Sequence, residues 1–284
     1  MAAVRSSNAV SSAQPWVLSY WQATADGSVS GPGSFGLAQN FHLNQPIVGV
    51  ASTPDGGGYW LVAADGGVFS VGDAVFHGSE GGVRLNQPIV GMASTPDGGG
   101  YWLVAADGGV FSFGDAKFHG SEGGTRLNQP ITGMASAPDG GGYWLVAADG
   151  GVFTFGDAKF HGSEGGVRLN APIVGIAPTS TGGGYWLDGS DGGVFTFGDA
   201  GFFGSAPAGN GSPAAPGYIV GAVIPTPDQQ GYWLVPANFD GCVGFGDAQA
   251  CPPELFPFQA PGQPPFVGPH IVAAVAVGGS QSKA

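Results

Sequence analysis

A Tyr-Trp pair recurs along the chain at a fixed spacing, and nothing else in the sequence restricts the fold as much. Trp60, Trp102, Trp144 and Trp186 follow one another at intervals of 42 residues. Trp21 and Trp233 mark outlying copies. The letters around the pair repeat too. The unit PIVGMASTPDGGGYWLVAADGGVFSFGDAKFHGSEGGTRLNQ, starting at Pro88, has near copies starting at Pro46 and Pro130. Six tandem units define a repeat architecture in which each unit is one supersecondary element.

Within a unit the pattern is that of strands and turns. PIVGMAS is apolar and stops at Pro-Asp-Gly, a strong turn signal. YWLVAA is a second strand, stopped by Asp-Gly-Gly. VFSF is a third, with Phe111 and Phe113 on one face and Val110 and Ser112 on the other. Gly-Asp-Ala then leads into KFHGS, read as a short fourth strand. The short turns predict antiparallel pairing throughout, and no stretch has helical periodicity.

A four-stranded sheet of this composition is apolar on both faces and cannot stand alone. Stacking copies about an axis buries both faces, which predicts an all-β fold, a six-bladed β-propeller of four-stranded antiparallel blades. The Tyr-Trp pairs read as its core. Each Trp buries roughly 200 Å², which at about 25 cal/mol per Å² stabilises by on the order of 5 kcal/mol as an upper figure.

The two ends of the chain complement each other. Pro15 to Gly36 matches strands two to four of a unit and lacks strand one, whereas HIVAAVAVGG, from His270, copies strand one and has nothing after it. The C-terminal strand is therefore expected to join the N-terminal blade and close the propeller. The expected organisation is a lead-in over 1–14, one propeller domain over 15–279 and a polar tail over 280–284. Cys242 and Cys251 flank the Gly246-Asp247-Ala248 turn of the last unit, where cross-strand neighbours come within disulfide reach, so a bridge is expected. Two buried thiols are the alternative.

Composition narrows the partners. Gly (56) and Pro (23) sit in register at turn positions, so they punctuate strands and do not signal disorder. Lys and Arg total 7 against 20 Asp and Glu, for a net charge of −13. That surface repels phosphate backbones and anionic membrane surfaces, so neither nucleic acid nor membrane is an expected partner. No apolar run approaches the roughly 20 residues of a membrane span. Residues 1–14 carry no apolar signal core.

The pattern GYWLV-x-x-DGGVF-x-FGDA-x-F-x-GS resembles a tandem repeat of many secreted bacterial proteins, often found beside cell-wall hydrolase or peptidase domains. The resemblance covers about residues 15 to 279. It implies an extracellular or cell-surface accessory module and no particular reaction. More distantly, IVGMASTPDGGGYWLV is similar to the strand-turn-strand of NHL-type and YVTN-type propellers, and to the repeat of tachylectin-like sugar-binding propellers.

Chemistry would need a convergent set of groups. There is no G-x-S-x-G elbow, no HExxH and no Cys/His metal spacing, so no enzyme activity, metal or cofactor is expected. His77, His119 and His161 occupy one slot per blade, spread around a ring, and read as edge side chains bonded to neighbouring loops. The DGG and GDA turns lack the nonapeptide spacing of calcium repeats.

What remains is SEGG-x-RLN, which places Glu80 with Arg84, Glu122 with Arg126, and Glu164 with Arg168. In a propeller this loop opens on the same face as the turns holding Asp65, Asp107 and Asp149. Planar donors and carboxylates beside an aromatic ring are what a sugar site uses, and an ion pair inside each loop is the plainer reading. Two functions follow. One is a multivalent binder of carbohydrate or another cell-surface or cell-wall polymer, and the other is a scaffold disc contacting protein partners.

Overall fold

Adjacent residues on a strand point to opposite faces of its sheet, and this one rule explains how the Tyr-Trp pairs build the molecule. The computed structural model describes residues 20–30, 43–206, 220–237, 242–248 and 271–276. The lead-in over 1–14, the tail over 280–284 and Cys251 lie outside the described residues, so the expected disulfide does too.

The N-terminal segment supplies β1 (Tyr20–Thr24) and β2 (Val29–Ser30). The first full unit holds β3 (Ile47–Ser52), β4 (Gly58–Ala63) and β5 (Val68–Gly72). The second holds β6 (Ile89–Ser94), β7 (Gly100–Ala105) and β8 (Val110–Gly114), and the third β9 (Ile131–Ser136), β10 (Gly142–Ala147) and β11 (Val152–Gly156). Then come β12 (Ile173–Pro178), β13 (Gly184–Gly189) and β14 (Val194–Gly198), followed by β15 (Val220–Pro225), β16 (Gly231–Pro236) and β17 (Val243–Gly246). The last strand is β18 (Ile271–Ala276).

These strands make six antiparallel sheets of three, each with the Tyr-Trp strand in the middle. In the sheet that joins the chain ends, β1 is central and pairs with β18 on one side and β2 on the other. A bulge recurs between the first and second strands, as where Ile89 faces Ala105 but Gly91 faces Val104. The first strands lie side by side. β3 packs on β6, β6 on β9, β9 on β12 and β12 on β15, while β18 touches both β15 and β3. Glycine permits this approach: a Cβ on Gly49 would stand 2.9 Å from Val62 Cγ1 and 3.5 Å from Gly91 Cα.

The core lies between sheets. Trp60 and Val62 of one sheet pack with Ile89, Tyr101 and Leu103 of the next. The ladder continues with Trp21 on Tyr59 (ring centroids 4.7 Å apart), Trp60 on Tyr101 (5.7 Å), Trp102 on Tyr143 (5.5 Å) and Trp144 on Tyr185 (5.9 Å). Each Tyr-Trp dipeptide thus serves two interfaces, its Tyr facing one neighbour and its Trp the other. All of these rings are buried.

The expected fourth strand is the one departure. Among the described residues the sheets have three strands, and residues 74–79 form no ladder. Their backbone groups are taken by side chains instead. Trp60 Nε1 donates to Val75 O at 2.7 Å, while Tyr101 of the next sheet donates its hydroxyl to Gly78 O at 2.6 Å and accepts from His77 N at 3.2 Å. The segment therefore crosses onto the face of the next sheet, where Gly78 lies against Phe113 so closely that a Cβ would stand 2.6 Å from its ring. The same bonds recur at Lys117 and Gly120, and at Lys159 and Gly162.

Candidate functional site

The turns holding Asp65, Asp107 and Asp149 are shaped by those aspartates. Asp65 Oδ1 accepts from Gly67 N, Asp107 from Gly109 N and Asp149 from Gly151 N, each at 3.0 Å. The SEGG loop docks on the same turn through its backbone. Glu80 N donates to Gly66 O, Glu122 N to Gly108 O and Glu164 N to Gly150 O, at 2.9–3.0 Å. The structure therefore brings each Glu to its Asp turn. It does not join Glu to Arg, because no ion pair links them among the described residues. Arg84, Arg126 and Arg168 are exposed and the three Glu half-buried. In the next unit Ala206 N makes the same bond to Gly192 O at 2.9 Å, so loop docking does not require the Glu side chain.

The turn after each first strand and the GDA turn meet at the other ends of the strands. Thr53 Oγ1 stands 2.9 Å from Asp55 Oδ1 and 3.3 Å from Asp73 Oδ1, a hydroxyl between two carboxylates. The Gly57 amide and the Thr53 hydroxyl hold Asp55 below the usual carboxylate range, and the Gly99 amide and Thr95 do the same for Asp97. In the last unit burial, then the charge of Asp228, pushes Asp247 up.

Ala137 takes the place of Thr53 and Thr95, and there a cleft of about 490 Å³ opens between two sheets. Asp139, Trp144, Asp157, Lys159, His161 and Thr181 line it. His161 Nε2 reaches Gly182 O of the neighbouring loop at 3.1 Å. His77 Nε2 and His119 Nε2 are buried with no hydrogen-bond partner among the described residues. No group of three or more metal-ligating side chains occurs among the described residues.

Two features escape a reading of the strand pattern. Phe76, Phe118, Phe160 and Phe202 are 56–60% exposed, one in the same slot of four consecutive units. Their signal is the Phe before HGS or FGS at the repeat spacing. Asp188 occupies the buried place of Val62, Val104 and Val146, and its only signal is GYWLD where other units read GYWLV.

No protein-family model and no curated protein matches the chain. A solved structure does: the β-propeller domain of Cps50 (Swd1) from Myceliophteria thermophila, with a TM-score of 0.52 over 82% of this chain and 84% of that one. The fold is a β-propeller. At 9% identity the likeness carries the architecture alone. In this propeller the Asp turns with the SEGG loops, and the GDA turns with the Thr-Pro-Asp turns, lie at opposite ends of the strands.

Proposed function

We propose that the chain is a six-bladed propeller closed by β18 in the N-terminal blade, and that it serves as a non-enzymatic scaffold for protein partners. Closure is supported by the pairing of β18 with β1 and by its contacts with β15 and β3. The observation that carries the function is the row of exposed Phe76, Phe118, Phe160 and Phe202. Single exposed apolar residues are ordinary, but a large ring in the same slot of four successive blades is a repeated apolar feature of the kind that contacts other proteins. The repeat's resemblance to secreted bacterial proteins supports an extracellular or cell-surface location for the scaffold.

The carbohydrate reading rests on Arg84, Arg126 and Arg168 with their Glu and Asp neighbours, of which the aspartates are engaged in their own turns. One experiment separates the two. Partners from cell-surface extracts are captured on the parent and on a variant with all four phenylalanines replaced by serine, with a glycan array run in parallel. A protein bound by the parent and lost by the folded variant supports the scaffold. Glycan binding that survives in the variant, with no protein captured, overturns it.

A further inference from the structure

Three-stranded blades leave an edge. β8, β11 and β14 each pair with the central strand of their sheet on one side only. On the other side, among the described residues, their backbone makes no hydrogen bond; the two long turn bonds, Ala116 N to Phe113 O and Ala200 N to Phe197 O at 3.4 Å, use carbonyls that face the central strand. The segment that a fourth strand would occupy has left for the face of the next sheet, held there by Trp and Tyr side chains.

Proteins that keep an edge free normally blunt it with charge, proline or a bulge within the strand. These edges have none of those. They read Val-Phe-Ser-Phe-Gly at Val110–Gly114 and Val-Phe-Thr-Phe-Gly at Val152–Gly156 and Val194–Gly198. Shortness is the one protection, at five residues each.

We infer that these edges are the docking sites of the scaffold, each accepting an extended segment of a partner protein as the fourth strand of its blade. The inference rests on the scaffold reading and specifies its mode. Main-chain bonds supply the attraction in such strand addition, and alternate side chains of the added segment supply the choice. The edges carry no charged side chain, so the centre of the segment is uncharged and β-branched. The net charge of −13 favours basic flanks on the segment and opposes a second copy of the chain as the occupant.

The test uses the whole chain and two synthetic peptides. The first is an eight-residue peptide of alternating valine and threonine with a lysine at each end; the second is the same peptide N-methylated at every other amide. Amide hydrogen exchange is followed within 110–114, 152–156 and 194–198. With the first peptide at about ten times its Kd, exchange at the outward amides should slow about tenfold, and the N-methylated peptide should leave it unchanged. Equal effects of the two peptides, or none, overturn strand addition. Protection already present in the concentrated chain alone, together with a dimer in sedimentation, assigns the edges to a second copy and overturns the partner. If strand addition fails while phenylalanine-dependent capture persists, the scaffold reading stands without this mode.

Discussion

Replacing Asp188 with valine should stabilise the protein, by an amount that grows with pH. The side chain is fully buried, and neither oxygen has a hydrogen-bond partner among the described residues. It stands in register with Gly175 on one neighbouring strand and Val194 on the other, and neither offers a charge or a donor side chain. Burial pushes its carboxyl up to about 7 from 3.8. The sign follows from proton linkage. From about pH 4 upward the unfolded chain releases this proton while the folded chain keeps it, so each pH step of one destabilises the fold by about 1.4 kcal/mol until about pH 7, roughly 4 kcal/mol in all. Below about pH 4 both states are protonated and this penalty is absent. Valine adds about 2 kcal/mol of apolar burial over the neutral acid at any pH. The variant should therefore exceed the parent by about 2 kcal/mol at about pH 4 and about 6 kcal/mol at about pH 8, read from urea midpoints. Asp188→Asn should flatten the pH dependence while keeping most of the polar burial cost. A valine variant no more stable at the higher pH, or a gap equal at both, refutes the reasoning.

Tyr143→Phe removes the hydroxyl that donates to Gly120 O and accepts from His119 N, and should destabilise by about 1–2 kcal/mol in urea melts without altering the sheets seen by circular dichroism. Because burial raises the Tyr143 hydroxyl above 10.0, the parent should also lose stability as pH climbs past about 10, a loss smaller in the phenylalanine variant. Deleting residues 270–284 strips β1 of its β18 partner and should lower the melting temperature or cause association in sedimentation; a monomer with unchanged melting would falsify closure. A bridge between Cys242 and Cys251 should show as a gain of two hydrogens in intact mass on reduction, and no gain means no bridge.

Much of the fold could be read from the letters because its determinants are local and repeated. The 42-residue spacing of Trp60, Trp102, Trp144 and Trp186 sets the sheets, and the Pro-Asp-Gly and Asp-Gly-Gly turns set the strand ends. The fourth strand was not legible, because KFHGS has a strand-like pattern but its carbonyls are claimed by Trp102 and by Tyr143 of the next sheet. That competition is tertiary and leaves no local mark. The same crossing accounts for Phe118, which alternation would have placed against a neighbour and which is 59% exposed. The Glu, Asp and Arg of the candidate sugar site could be found by spacing, whereas the separation of Glu from Arg needed coordinates.

The shared use of each Tyr-Trp dipeptide bears on how the chain finds its own order. Trp60 meets Tyr101, and Trp102 meets Tyr143, in nearly the same geometry with centroids 5.7 and 5.5 Å apart. Any of these middle units could dock on any other, so the contacts that hold the molecule together do not say which unit comes next. Covalent order and short linkers must supply that address during folding, and exchange of units between neighbouring nascent chains is the matching hazard. The labels that differ sit toward the two ends: the N-terminal unit that lacks strand one, and Asp188 in the unit after the near copies. A chain emerging from its N-terminus therefore leaves one distinct unit and passes through its interchangeable middle before it meets the next.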